Sequence, residues 1–120
     1  MYVTCEDSER KNEIIETGIE FIDLPISRSG TNPVNEIKTL LKLYKIYSNL
    51  KPSIVHHINL KSVIYGSIIS RLTNVRAVVN AINGLGYNFT KSRKGFVQKL
   101  MVSLMKLGLN RKNMTIIFQN

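Results

Sequence analysis

Beyond Glu36 this chain contains no acidic residue. All eight (Glu6, Asp7, Glu9, Glu13, Glu16, Glu20, Asp23 and Glu36) precede residue 37, while residues 37 to 120 carry fourteen Lys or Arg. Paired carboxylates for general acid and base work, or a Ser-His-Asp triad, cannot be assembled in that region. The net charge of +9 creates a one-signed field that attracts polyanions: nucleic acid, anionic lipid head groups or diphosphate-bearing substrates. One cysteine, Cys5, is present, so no internal disulfide can form. Its acidic neighbours Glu6 and Asp7 do not favour a thiolate, and it reads as a packing residue. No window approaches 18 uncharged apolar residues, and the start MYVTCEDSER lacks the basic and apolar segments of a signal peptide. A cytosolic location follows as an expectation, with membrane contact from that side only.

What is present suits a globular α/β domain. The 120 residues are 43% hydrophobic and 21% charged, with no low-complexity tract, enough for one core or part of one. MYVT is β-prone, and CEDSERKNEIIETG reads as a polar helix stopped by Gly18 as its C′ residue. IEFIDLP alternates as a strand, ISRSGTNP is a loop, and VNEIKTLLKLYKIYSNL has apolar residues at helical spacing. SIVHHI is a short buried-type strand, and Leu60 to Leu72 is a helix whose Gly66 and Ser67 offer a small-residue surface to a sheet. VRAVVNAI, then the loop NGLGYNFT, the helix KGFVQKLMVSLMKLGL and the strand MTIIFQ complete the chain. Strand and helix alternate, and the Ile/Val-rich strands predict a doubly wound, Rossmann-like parallel sheet with helices on both faces. The opening on what reads as a second strand leads to the expectation that the domain lacks its first strand, so residues 1–120 form a single partial domain.

Ligands of such sheets bind beyond the carboxyl ends of the strands, which directs attention to SRSGTNP, HHINLKS and NGLGYNFTKSRKG. Adjacent residues on a strand face opposite ways, so His56 and His57 cannot share a metal ion, and no metal site is expected. One histidine is expected beneath a helix, while the other, taken as His57 because it lies nearer the strand end, is expected to reach the crevice. A hydrogen-bonded structural role is the alternative for either. Lys61 stands at a helix start, where a cation opposes the helix dipole unless an anion meets it. Arg28, among serines and a glycine, is placed to wrap an oxyanion. For both, a solvated side chain is the alternative. NGLGYNF lacks the third glycine of a dinucleotide fingerprint, but Gly84 and Gly86 permit close backbone approach. From Lys91 to Lys112 an apolar stripe is flanked by basic residues. That pattern suits either an anionic membrane surface or a helix packed on the sheet with its charges solvated.

SRSG-x-NP, VHH-x-x-x-K-x-x-IYGS and the GLGY stretch, together with VVNAIN and IIFQN, resemble the amino-terminal domain of bacterial family 4 glycosyltransferases that build capsule, O-antigen or related surface polysaccharides. The resemblance runs over nearly the whole chain. It implies a GT-B enzyme of two facing Rossmann-like domains, a retaining hexosyltransferase, in which the amino-terminal domain binds a polyprenyl-diphosphate-linked sugar acceptor. A carboxyl-terminal domain outside these residues, bearing a pair of glutamates, would bind the nucleotide-sugar donor, and no other cofactor is implied. Arg28, His57, Asn59, Lys61, Asn83, Gly84 and Gly86 would line the acceptor side of the cleft. Ser62 stands where relatives often have proline, and Asn59 and Asn83 where many have threonine. Some distant relatives place a catalytic histidine near Asn83, a role that asparagine cannot fill as a base.

The function implied is sugar transfer at the inner face of the bacterial plasma membrane, with the protein held peripherally through the Lys91 to Lys112 region. A nucleic-acid-binding module shares the charge but shows no helix-turn-helix, zinc-finger or RNP-like pattern, and no nucleic acid partner is expected. An inactive truncated remnant is the remaining alternative. A missing central strand bares the edges of its neighbours and removes apolar burial, so the isolated 120 residues are expected to be marginally stable. Cooperative thermal unfolding of the isolated chain well above about 60 °C, near the top of the mesophilic range, would contradict that expectation.

Overall fold

The computed structural model describes residues 1–5, 10–26, 32–83 and 95–119. It contains five strands and four helices among them: β1 (Tyr2–Cys5), α1 (Lys11–Glu16), β2 (Glu20–Asp23), α2 (Pro33–Leu50), β3 (Ile54–Ile58), α3 (Leu60–Leu72), β4 (Ala77–Asn83), α4 (Gly95–Leu109) and β5 (Met114–Gln119). Every strand pair is parallel, and a helix lies between the two strands of each pair in sequence. This is the Rossmann-like α/β arrangement that the alternating pattern predicts. The strands fall into two sheets, β1-β2 and β3-β4-β5, within two compact units, Met1–Leu43 and Tyr44–Asn120.

In the first unit, β1 and β2 run in register from Tyr2 opposite Glu20 to Cys5 opposite Asp23. Gly18 takes φ +82° after α1 and donates its amide to Ile15, as the C′ residue expected there. The helix itself is shorter than its polar pattern, beginning at Lys11; residues 6–9 lie outside the described residues. Asn32 caps α2, its Oδ1 accepting the Val34 amide at 3.1 Å while Pro33 occupies the first helical position, where its missing N–H costs nothing. The Thr39 hydroxyl donates to the Pro25 carbonyl at 2.9 Å and lies within 3.0 Å of the Asn35 carbonyl, tying α2 to the end of the β2 segment.

The second unit holds the larger core. Leu60, Val63, Ile64 and Ile82 are buried together, and Tyr65, Ile68, Leu104, Met105 and Leu109 pack against them. Strands β3 and β4 pair from Ile54 opposite Ala77 to Ile58 opposite Ala81, and β4 pairs with β5 from Val78 opposite Met114 to Asn83 opposite Gln119. The strand expected from Val75 starts two residues later. Asn74 adopts φ +54° and the Val75 amide bonds the Ser70 carbonyl at 3.0 Å, a Schellman closure of α3 with Val75 as its buried apolar contact. A β-branched residue at a helix exit was thus indistinguishable by composition from the first residue of a strand.

Gly66 and Ser67 do form the close helix-to-sheet contact expected of them. A Cβ on Gly66 would overlap the His57 ring, whereas one on Gly108 would stand 3.0 Å from the Ser67 Cβ. Gly66→Ala is therefore expected to destabilise the full chain by about 1–3 kcal/mol in urea unfolding. For Gly108→Ala the tight contact is offset by the roughly 1 kcal/mol helix gain of Ala over Gly, and little net change is expected.

Candidate functional site

The carboxyl edge of the three-stranded sheet is built by the turn from β3 into α3 and by the last residue of β4. The Asn59 amide bonds the Ala81 carbonyl at 3.2 Å, which places the two strand ends side by side. Asn59 itself adopts φ +76° and ψ +147°, a region that non-glycine residues enter only where neighbours enforce it. The turn this makes lets the chain leave β3 and enter α3 with a single connecting residue. Lys61 follows in the first turn of α3, partly exposed, with its ammonium 5.8 Å from the centre of the Tyr65 ring, an attractive cation–π geometry. Asn83 ends β4, and its buried Oδ1 has no hydrogen-bond partner among the described residues. A buried acceptor in that state favours any donor that reaches it.

His57 does not reach this edge. The burial of β3 alternates, with Val55 and His57 inside and Ile54, His56 and Ile58 outside. His57, 6% exposed, is the histidine beneath the helix, and His56 is the exposed one, the reverse of the expected assignment. Which face of the strand is covered is decided by where α3 packs, and proximity to the strand end carries no information about that. The opposite facing of the pair does hold, and among the described residues no group of three His, Cys, Asp or Glu is placed to hold a metal.

Beneath α3, His57 anchors a continuous polar network. Its Nδ1 lies 2.7 Å from Asn80 Oδ1, and its Nε2 lies 2.8 Å from the Tyr47 hydroxyl. The Asn80 Nδ2 points at Ser67 Oγ at 2.9 Å and at Met114 Sδ at 3.2 Å. With the Asn80 amide nitrogen so committed, its oxygen accepts, so His57 carries its proton on Nδ1 and accepts from Tyr47 at Nε2. Burial holds the His57 imidazole below its ordinary pKa; the Asn80 bond opposes that shift, and the neighbouring His56 adds to it. Burial likewise pushes the Tyr47 phenol up. Neutral imidazole and neutral phenol are thus the ground state. The sequence did carry a signal for Asn80: an amide in the middle of the apolar run VVNAI must find partners inside. Tyr47 was visible only as one more residue of an amphipathic helix.

Residues 1–120 match the family described as glycosyl transferase 4-like. This chain belongs to that family. It is also similar to a UDP-Gal:alpha-D-GlcNAc-diphosphoundecaprenol alpha-1,3-galactosyltransferase of Escherichia coli, with 27% identity over 89 residues. That alignment covers 74% of this chain and 23% of the relative, so the chain spans well under half of that protein. Of the positions that the resemblance assigns to the acceptor side in this glycosyl transferase 4-like chain, Asn59, Lys61 and Asn83 gather at one sheet edge, and His57 lies under it as a support. Arg28, Gly84 and Gly86 lie outside the described residues.

The depressed imidazole has a consequence for stability. Between its folded and ordinary pKa the unfolded chain binds the extra proton, so His57 leaves stability intact above about pH 6.5 and erodes it as pH falls toward the folded value. Urea unfolding of the full chain between about pH 5 and 8 is expected to show stability rising with pH, by at most ~1.4 kcal/mol per unit from this group. His57→Gln is expected to remove that component, and His56→Gln to diminish it only slightly, because burial is the largest cause of the shift.

Proposed function

We propose that this chain forms part of a glycosyltransferase that moves a sugar from a nucleotide-sugar to a polyprenyl-diphosphate-linked acceptor in surface polysaccharide synthesis of the capsule or O-antigen type. The observation that carries the reading is the family match over all 120 residues, joined to the diphosphoundecaprenol acceptor in the name of the galactosyltransferase relative. In this reading the chain supplies the acceptor side and a separate donor domain binds the nucleotide-sugar.

The acceptor would lie over the strand ends. Lys61 offers a cation to the acceptor diphosphate, and the start of α3 adds a favourable dipole. Asn83 Oδ1, a buried acceptor, suits a sugar hydroxyl donor. Asn59 fixes the direction in which the loop presents these groups, and Arg28, Gly84 and Gly86 are proposed to complete the wall. His57, Asn80, Tyr47 and Ser67 hold the floor without touching the substrate. When the donor domain closes, water leaves the cleft and the charge-assisted contacts strengthen.

A lipid-linked acceptor confines the reaction to a membrane surface. No helix among the described residues is long and apolar enough to cross a membrane, which suits peripheral attachment at the cytoplasmic face. Lys99, Lys106 and Lys112 are exposed in and just after α4, where they would meet anionic head groups.

In the full-length protein, Lys61→Ala is expected to raise KM for a polyprenyl-diphosphate-linked sugar about tenfold, the scale of one charge-assisted hydrogen bond, while the nucleotide-sugar KM stays unchanged. Steady-state kinetics with each substrate varied in turn check this. Unchanged acceptor kinetics for both Lys61→Ala and Asn83→Ala would return this edge to plain scaffold.

A further inference from the structure

The other end of the three-stranded sheet, where β4 and β5 begin, carries a second concentration of chemistry. Arg71, Asn74, Asn110, Arg111, Lys112 and Asn113 line a hollow of about 430 Å³ there. It lies between the exits of α3 and α4, at the amino-terminal edge of the strands and away from Asn59, Lys61 and Asn83. The two arginines cap each other's helices: Arg71 donates to the Leu107 carbonyl of α4 at 2.8 Å, and Arg111 donates to the Ser70 carbonyl of α3 at 3.0 Å.

Capping accounts for only part of this charge. Two helix carboxyl termini present roughly −0.5 each, about one negative charge in total, against the three positive charges of Arg71, Arg111 and Lys112. Arg76 and Lys106, both exposed, add to the same end of the unit. Residues 44 to 120 contain no carboxylate side chain that could balance them. Each capping contact uses one guanidinium nitrogen, while a guanidinium has five N–H donors in a planar fork suited to phosphate oxygens. The three asparagine side chains add neutral amide donors. A concave site lined by one sign of charge concentrates anions. The hollow is open to solvent, and its volume exceeds what a single phosphate fills.

We propose that this hollow is a binding site for a ligand with two or more closely spaced phosphates, separate from the acceptor edge. Arg71 and Arg111 hold the phosphate oxygens through the guanidinium donors left over from capping, Lys112 supplies the third charge, and Asn74, Asn110 and Asn113 bond the remaining oxygens. The proposal rests on this end of the sheet alone and stands or falls independently of sugar transfer. A phosphorylated head group of a bilayer and a soluble oligophosphate present the same chemistry, and the test separates them.

The full chain is titrated with inorganic tripolyphosphate by calorimetry and, separately, mixed with phosphatidylcholine vesicles with and without phosphatidylinositol bisphosphate in a flotation assay. Lys112→Glu, at an exposed side chain whose loss spares both helix caps, is expected to weaken binding about tenfold or more, and Asn110→Asp to weaken it in the same direction. Circular dichroism of each variant verifies that the fold is kept. Tripolyphosphate binding lost in Lys112→Glu supports a soluble ligand, and bisphosphate-dependent vesicle binding lost in both Lys112→Glu and Asn110→Asp, without tripolyphosphate binding, supports a lipid head group. Absence of both in the unaltered chain, or binding that survives Lys112→Glu and Asn110→Asp, overturns the proposal.

Discussion

A histidine and an asparagine stand opposite each other on neighbouring strands inside the second unit, and the structure around them is arranged so that every polar atom of the pair is matched. His57 and Asn80 are in register on β3 and β4, and neither can exchange its lost water for anything but protein. An unpaired group at such a depth costs about 1–3 kcal/mol, so the surroundings are constrained on each side. Tyr47 must bring its hydroxyl from α2 to Nε2, Ser67 must bring its oxygen from α3 to the Asn80 amide, and Met114 meets that amide from β5. Gly66 must remain without a side chain so that α3 can lie on the imidazole. Five elements are thereby indexed to one pair.

That indexing reaches the sheet edge. With His57 held under α3, the chain has one residue, Asn59, in which to leave the strand and begin the helix, and it accepts positive φ to do so. The strain is supported by the hydrogen bonds on either side: Asn59 N–H to Ala81, and Val63 N–H back to the Asn59 carbonyl. The first turn of α3, Lys61 included, is consequently aimed past the ends of β3 and β4. At the opposite end the same helix finishes in Asn74 and Val75, where Arg71 and Arg111 tie it to α4. A helix fixed by a buried polar network thus presents positive charge at both ends of the sheet, in a unit whose sequence contains no Asp or Glu.

Much of the architecture was legible along the chain because the physics involved is local or periodic. Helical spacing from Val34 to Tyr47, the β-branched runs around Val55, Val78 and Ile116, and Gly18 as a helix stop each reflect neighbours within a few residues. The boundary at Val75 was misplaced because a Schellman contact and a strand start both favour the same side chain. For the site, Lys61, Asn59 and Asn83 could be placed at strand ends from order alone, since a parallel sheet puts those ends on one edge. The phase of His56 and His57 could not.

The amino-acid sequence by itself determined the α/β class, the parallel strands, the absence of acids beyond Glu36 and the family resemblance. These depend on patterns and on residue identity, which need no partner distant in the chain. Tertiary structure alone decided which histidine is inside, what Tyr47, Asn80 and Ser67 are for, and that Arg71 and Arg111 meet around one hollow. Alternation along a strand states that two neighbours face opposite ways but not which face a helix will cover. That choice is made when α3 packs, and the chain carries it only as the joint requirement of residues up to several tens of positions apart.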